Sequence, residues 1–101
     1  MKPANILLEK HLKELGFNFE REYRFHETRR WKADYHLLGH RILIELHGSV
    51  YQQGRHTRGA GFEDDREKMN TAQMLGYRVL EFSTSQVLRG FARDFLKHYL
   101  T

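Results

Sequence analysis

Two acids near the middle of the chain suggest the chemistry. Trp31 to Leu37 and Arg41 to Leu46 read as strands separated by Leu-Gly-His, a hairpin pattern. With Gly39 and His40 as the turn residues, strand partners have numbers that sum to 79, and Asp34 stands directly opposite Glu45. Opposed Cβ atoms in an antiparallel pair lie only ~4.5–5.5 Å apart, and like charges so placed repel. At an effective dielectric of about 20 the repulsion is roughly 3 kcal/mol at about 5 Å, so the pair calls for a neutralising cation. Mg²⁺ suits this role, because it takes oxygen ligands and commonly binds one or two carboxylates together with water and substrate phosphate.

Other reactive side chains gather around the pair. Asp34, Glu45, His36, His47 and Lys32 share one strand face, and Ala33, Tyr35, Leu37, Ile42, Ile44 and Leu46 share the opposite, apolar face. A face with two acids, two histidines and a lysine is costly unless it is open to solvent or does chemistry. In the helix that follows, Asp65 falls amid Phe62, Met69 and Ala72, with Lys68 on its flank. An ordinary i,i+4 pair between Asp64 and Lys68 accounts for the lysine but not for an acid on the buried stripe. Gly54-Arg55-His56-Thr57-Arg58-Gly59 surrounds a histidine with arginines and glycines. It reads either as a plain polar loop or as one that lets backbone amides and guanidinium groups approach phosphate.

These residues need elements to hold them. Ala4 to Leu15 has Leu8, Leu12 and Leu15 at helical spacing, with Gly16 at the C-cap. Phe17 to Phe25 alternates Phe17, Phe19, Arg21, Tyr23 and Phe25 against polar residues, a half-buried strand. Residues 48–61 hold four glycines among polar residues and argue for a connection rather than an element. Phe62 to Leu75 reads as a helix with Glu63, Asp64 and Asp65 in its first turn and Gly76 after its end. Tyr77 to Ser83 is a fourth strand, and Ser85 to Leu100 a closing amphipathic helix with Leu88, Phe91, Phe95 and Tyr99 on its apolar stripe. The order is α-β-β-β-α-β-α, an α/β (α+β) arrangement in which helices pack on a central sheet.

Composition bounds the function further. A chain of 101 residues suits one domain spanning 1–101. With no cysteine there is no thiolate nucleophile, iron–sulfur cluster, cysteine zinc site or disulfide framework. No apolar run approaches a membrane span, and the start MKPANILLEK lacks the apolar core of a signal peptide, so a soluble, cytoplasmic protein is expected. The net charge is +4, and residues 21–60 carry the whole surplus, eight bases against four acids, together with five of the seven histidines. An anionic partner such as nucleic acid follows.

The runs Arg30-Trp31-Lys32-Ala33-Asp34-Tyr35, Ile44-Glu45-Leu46-His47-Gly48, Gly54 to Gly59, Asp65-Arg66-Glu67-Lys68-Met69-Asn70 and Gly76-Tyr77-Arg78-Val79-Leu80 together resemble the PD-(D/E)XK nuclease superfamily. They are most similar to its short phage- and prophage-type endonuclease domains, akin to very-short-patch-repair and VRR-type nucleases, and the similarity spans about residues 17–83. The resemblance implies a restriction-endonuclease-like fold and Mg²⁺- or Mn²⁺-dependent hydrolysis of DNA phosphodiester bonds. It makes Asp34 and Glu45 metal ligands, with the Leu46 carbonyl as a further ligand. His47 replaces the motif lysine and Ala33 its proline. Lys68 matches the site to which that lysine moves in some relatives, with Lys32 as the competing lysine. Helix-one glutamate, present in many relatives, has only Glu9 as a weak counterpart. His47 and His56 would contact phosphate or carry a proton, and Arg29, Arg30, Lys32, Arg55 and Arg58 would bind the nucleic acid. A small domain covers little DNA, which leaves room for a homodimer. The lost motif lysine also admits an inactive nuclease fold that binds nucleic acid or a protein partner as a regulator, and no residue decides between DNA and RNA.

Overall fold

The computed structural model describes residues 1–48 and 59–101. The chain runs α1 (Pro3–Glu14), β1 (Phe19–Tyr23), β2 (Ala33–Leu37), β3 (Ile42–His47), α2 (Gly59–Met74), β4 (Arg78–Ser83), α3 (Thr84–Leu88) and α4 (Phe91–Leu100). The four strands form one sheet in the order β1-β2-β3-β4, antiparallel except for β3 and β4, which are parallel and joined through α2. The expected mixed sheet flanked by helices is therefore present. Among the described residues no helix is long and apolar enough to cross a membrane.

The β2–β3 register is the one the hairpin arithmetic requires. Tyr35 pairs with Ile44, His36 with Leu43 and Leu37 with Ile42. The turn is longer than the two-residue form, covering Leu38 to Arg41 with Gly39 at φ 82° and Arg41 at φ 52°. Because the two added residues are shared symmetrically between the strands, the pairing is unchanged.

Apolar side chains collect on both sides of the sheet. The larger cluster joins Leu8 and Leu12 of α1 to Tyr35, Leu37, Ile42 and Ile44, and to Val87, Ala92 and Leu96 of the last two helices. The smaller one holds Phe25, Ala33, Leu43, Tyr77 and, from α2, Ala72. Ala33 thus leaves the group of Tyr35 and Leu37 with which strand alternation had placed it. The face carrying Asp34 and Glu45 is not an open polar surface, since α2 covers it.

Three other expectations change. The first strand is shorter than Phe17 to Phe25, and its alternation breaks at Glu22, which has φ 50°. Phe19 packs edge-on to Tyr35, whereas Tyr23 stacks on His36 with ring centroids 4.1 Å apart on the opposite face. α2 begins at Gly59, inside the stretch read as connection, so Glu63, Asp64 and Asp65 fall in its second turn rather than its first. The closing helix is two helices, broken at Gly90 with φ 86°. A Ser83–Gln86 capping box starts the first of them. The break turns α4 relative to α3, so the inward stripe is Val87, Ala92 and Leu96, while Leu88, Phe91 and Tyr99 are exposed.

Candidate active site

Asp34 and Glu45 meet where the paired register of β2 and β3 reaches its last hydrogen-bonded pair. Beyond Tyr35 and Ile44 the side chains take over the backbone partners. Asp34 N–H donates to Glu45 Oε2 at 3.3 Å, and Leu46 N–H donates to Asp34 Oδ2 at 2.8 Å. Each carboxylate is therefore held by the main chain of the other strand, which fixes the two acids side by side. Glu45 is 6% exposed. Burial raises its carboxyl most, Lys68 opposes that rise and Asp34 beside it adds to it, with the net result a carboxyl pushed up to about 7.

Lys68 comes to the pair from α2. Its Nζ donates to Glu45 Oε1 at 2.5 Å, and both side chains are largely buried. The i,i+4 alternative with Asp64 does not form, because Asp64 turns to Arg29. Lys32 is exposed and has no side-chain hydrogen bond among those described. Asp65, on the same helix stripe, is half-buried and pairs with its neighbour Arg66 rather than with the site.

His47 lies two residues beyond Glu45 on the same strand face. Its Nε2 is 2.9 Å from Glu81 Oε1 on β4, and both groups remain open to solvent. Glu81 lies beside the candidate site, and nothing in the local sequence pattern marks it. It pairs in register with Glu45 and so shares its face, but only the parallel β3–β4 pairing brings it there. His36 is buried against Tyr23 and Tyr77, with Nδ1 3.0 Å from Glu20 Oε1.

Glu9 belongs to another cluster. Arg21 grips it with two hydrogen bonds of 2.7 and 2.6 Å, and Tyr35 O–H donates to it at 2.8 Å. Arg21 and Tyr35 hold the Glu9 carboxyl below its ordinary value. Tyr35 projects from the face of β2 opposite Asp34, so this carboxylate braces α1 against the sheet and does not join the site.

Of the basic residues expected at nucleic acid, Arg30 and Lys32 are exposed. Arg29 is committed to Asp64 and Glu67 of α2. Arg55, His56 and Arg58 lie outside the described residues.

The donor set at the pair suits a hard divalent cation. It offers adjacent carboxylates, one of them buried and with a raised pKa, and Mg²⁺ commonly binds one or two such groups with water completing its shell. Among the described residues there is no cluster of three or more His, Cys, Asp or Glu that could hold a metal.

No family model and no curated protein matches the chain. Among solved structures it is similar to the catalytic domain of the homing endonuclease I-Bth0305I, at 17% identity and a TM-score of 0.65, with all of both chains covered. What the two share at that identity is the fold: this chain is built as a homing endonuclease catalytic domain is built.

Proposed function

We propose that the protein is a metal-dependent endonuclease of the PD-(D/E)XK type that hydrolyses phosphodiester bonds in DNA. The interlocked Asp34–Glu45 pair with Lys68 at its edge carries this reading. Asp34, Glu45 and the Leu46 carbonyl would hold Mg²⁺ or Mn²⁺. Such an ion supplies a water of lowered pKa and a positive charge beside the phosphate.

The protein's own groups do the rest. The backbone bonds to Asp34 and Glu45 hold their oxygens without reorganisation during the reaction. The Lys68 ammonium, held against Glu45, would face the phosphate and offset its developing charge. His47, steadied by Glu81, faces solvent on the same side and contacts the phosphate or takes a proton. His56, Arg55 and Arg58, with Arg30 and Lys32, supply the backbone grip that eight bases in residues 21–60 suggest.

Plasmid nicking with Mg²⁺ or Mn²⁺ tests the assignment. Asp34→Ala is expected to lose at least about a hundredfold in rate, roughly 3 kcal/mol of transition-state stabilisation. Equal rates in the variant and the wild type would end it. One observation favours a second reading: Lys68 lies directly against Glu45, a pairing that would also suit a nuclease fold that binds nucleic acid or a partner without cutting. Calorimetry separates the two, since the regulator reading expects no Mn²⁺ uptake by the wild type.

A further inference from the structure

α2 is attached unequally along its length. Its C-terminal half buries Met69 and Ala72, and Leu75 just beyond it accepts a hydrogen bond of 2.6 Å from Arg41 Nη2. Over residues 61–68 no apolar side chain is buried: Phe62 is 36% exposed and is met by Arg66. Yet this half delivers Lys68 to Glu45.

Among the described residues, the tie across this half besides Lys68 itself is Arg29, from the segment between β1 and β2. Its Nη2 lies 3.2 Å from Asp64 Oδ1 and its Nη1 lies 3.3 Å from Glu67 Oε2. Asp64 and Glu67 are three residues apart and share a helix face, so one planar guanidinium spans both. Behind it the same guanidinium sits 3.8 Å from the Trp31 ring centroid, and Trp31 stacks on Phe25 of the smaller core. The arginine is thus braced by the core on one side and grips the helix on the other.

We propose that Arg29 is a positioning residue for Lys68, acting as a clamp on the α2 turn that carries the lysine rather than as a phosphate anchor. The inference rests on the nuclease reading for its catalytic consequence, but the clamp itself can be measured without it. Wild type, Arg29→Ala, the Asp64→Asn/Glu67→Gln pair and the triple variant are compared in Mg²⁺-dependent nicking. The clamp requires kcat to fall about fivefold in the first two variants, with KM within about twofold, and no further fall in the triple, because both sides of one interaction have been removed. A phosphate anchor gives the opposite pattern: Arg29→Ala raises KM at constant kcat, and removing the two acids tightens DNA binding. That result overturns the proposal.

Hydrogen exchange supplies a readout independent of cleavage. Arg29→Ala should speed exchange of the 61–68 amides while leaving 69–74 as in the wild type, and unchanged exchange at 61–68 overturns the clamp whatever the kinetics. If the wild type does not nick DNA, the nuclease reading fails and the exchange result alone decides the clamp.

Discussion

At Glu45 the cost of burying a carboxylate outweighs the help of the adjacent lysine, which gives its titration a definite sign. The folded carboxyl is raised to about 7 from an ordinary 4.5. Between those values the unfolded chain has released its proton and the folded chain has kept it, so stability falls as pH rises through that window. Glu45→Gln is expected to remove this decline, read as a flatter dependence of Tm on pH between 4.5 and 7 than in the wild type. A steeper decline in the variant would contradict the desolvation argument. Glu81 carries a different prediction. Its Oε1 lies 2.9 Å from His47 Nε2, and on the proposed role of His47 the loss of such an orienting partner is expected to cost about tenfold in activity. Glu81→Ala should reduce nicking by about that factor, while Glu81→Gln, which keeps an acceptor, should recover most of it.

The elements show where local pattern is enough and where it is not. The β2–β3 hairpin was readable because turn position and strand parity fix register together, and that register sets Asp34 against Glu45. β1 was only partly readable, since the positive φ of Glu22 re-aims Tyr23 and no residue type at that position announces it. The division of the last helix is hidden in the sequence because Leu88, Phe91, Phe95 and Tyr99 keep helical spacing across what is a break. Gly90 makes that break with φ 86°, and an added Cβ there would meet only Arg93 Nη2 at 3.7 Å. Gly90→Ala should therefore cost about 1–2 kcal/mol from the left-handed backbone alone, measured by denaturant unfolding with an unchanged m-value. A negligible cost would show that the break can relax.

The two cores divide the work of the molecule between the sides of its sheet. The α1 side holds most of the fully buried side chains, among them Leu8, Leu12 and Leu96, and is braced by the Glu9–Arg21–Tyr35 cluster. The α2 side carries the smaller core and the acid pair. Leu8→Ala should cost about 2–5 kcal/mol in unfolding free energy and leave nicking by the folded fraction near wild type. Ala72→Leu, overpacking the seam beneath α2, should cost only about 1–3 kcal/mol yet lower the rate several-fold by lifting Lys68 from Glu45. Unfolding curves paired with nicking below the transition check both, and equal activity losses would refute the division.

The sequence by itself determined the hairpin register, the opposed acids, the basic surplus around them and the order of elements up to β4. These follow from spacing of two and of three to four along a continuous chain. Tertiary structure alone decided that α2 closes over the acid face, that Asp64 turns to Arg29, and that Glu81 joins His47, and it decided between Lys68, which the resemblance favoured, and Lys32 as the lysine that meets Glu45. Each depends on how distant segments dock, through a parallel strand pairing and helix placement, and periodicity within one segment carries no information about its partner in another.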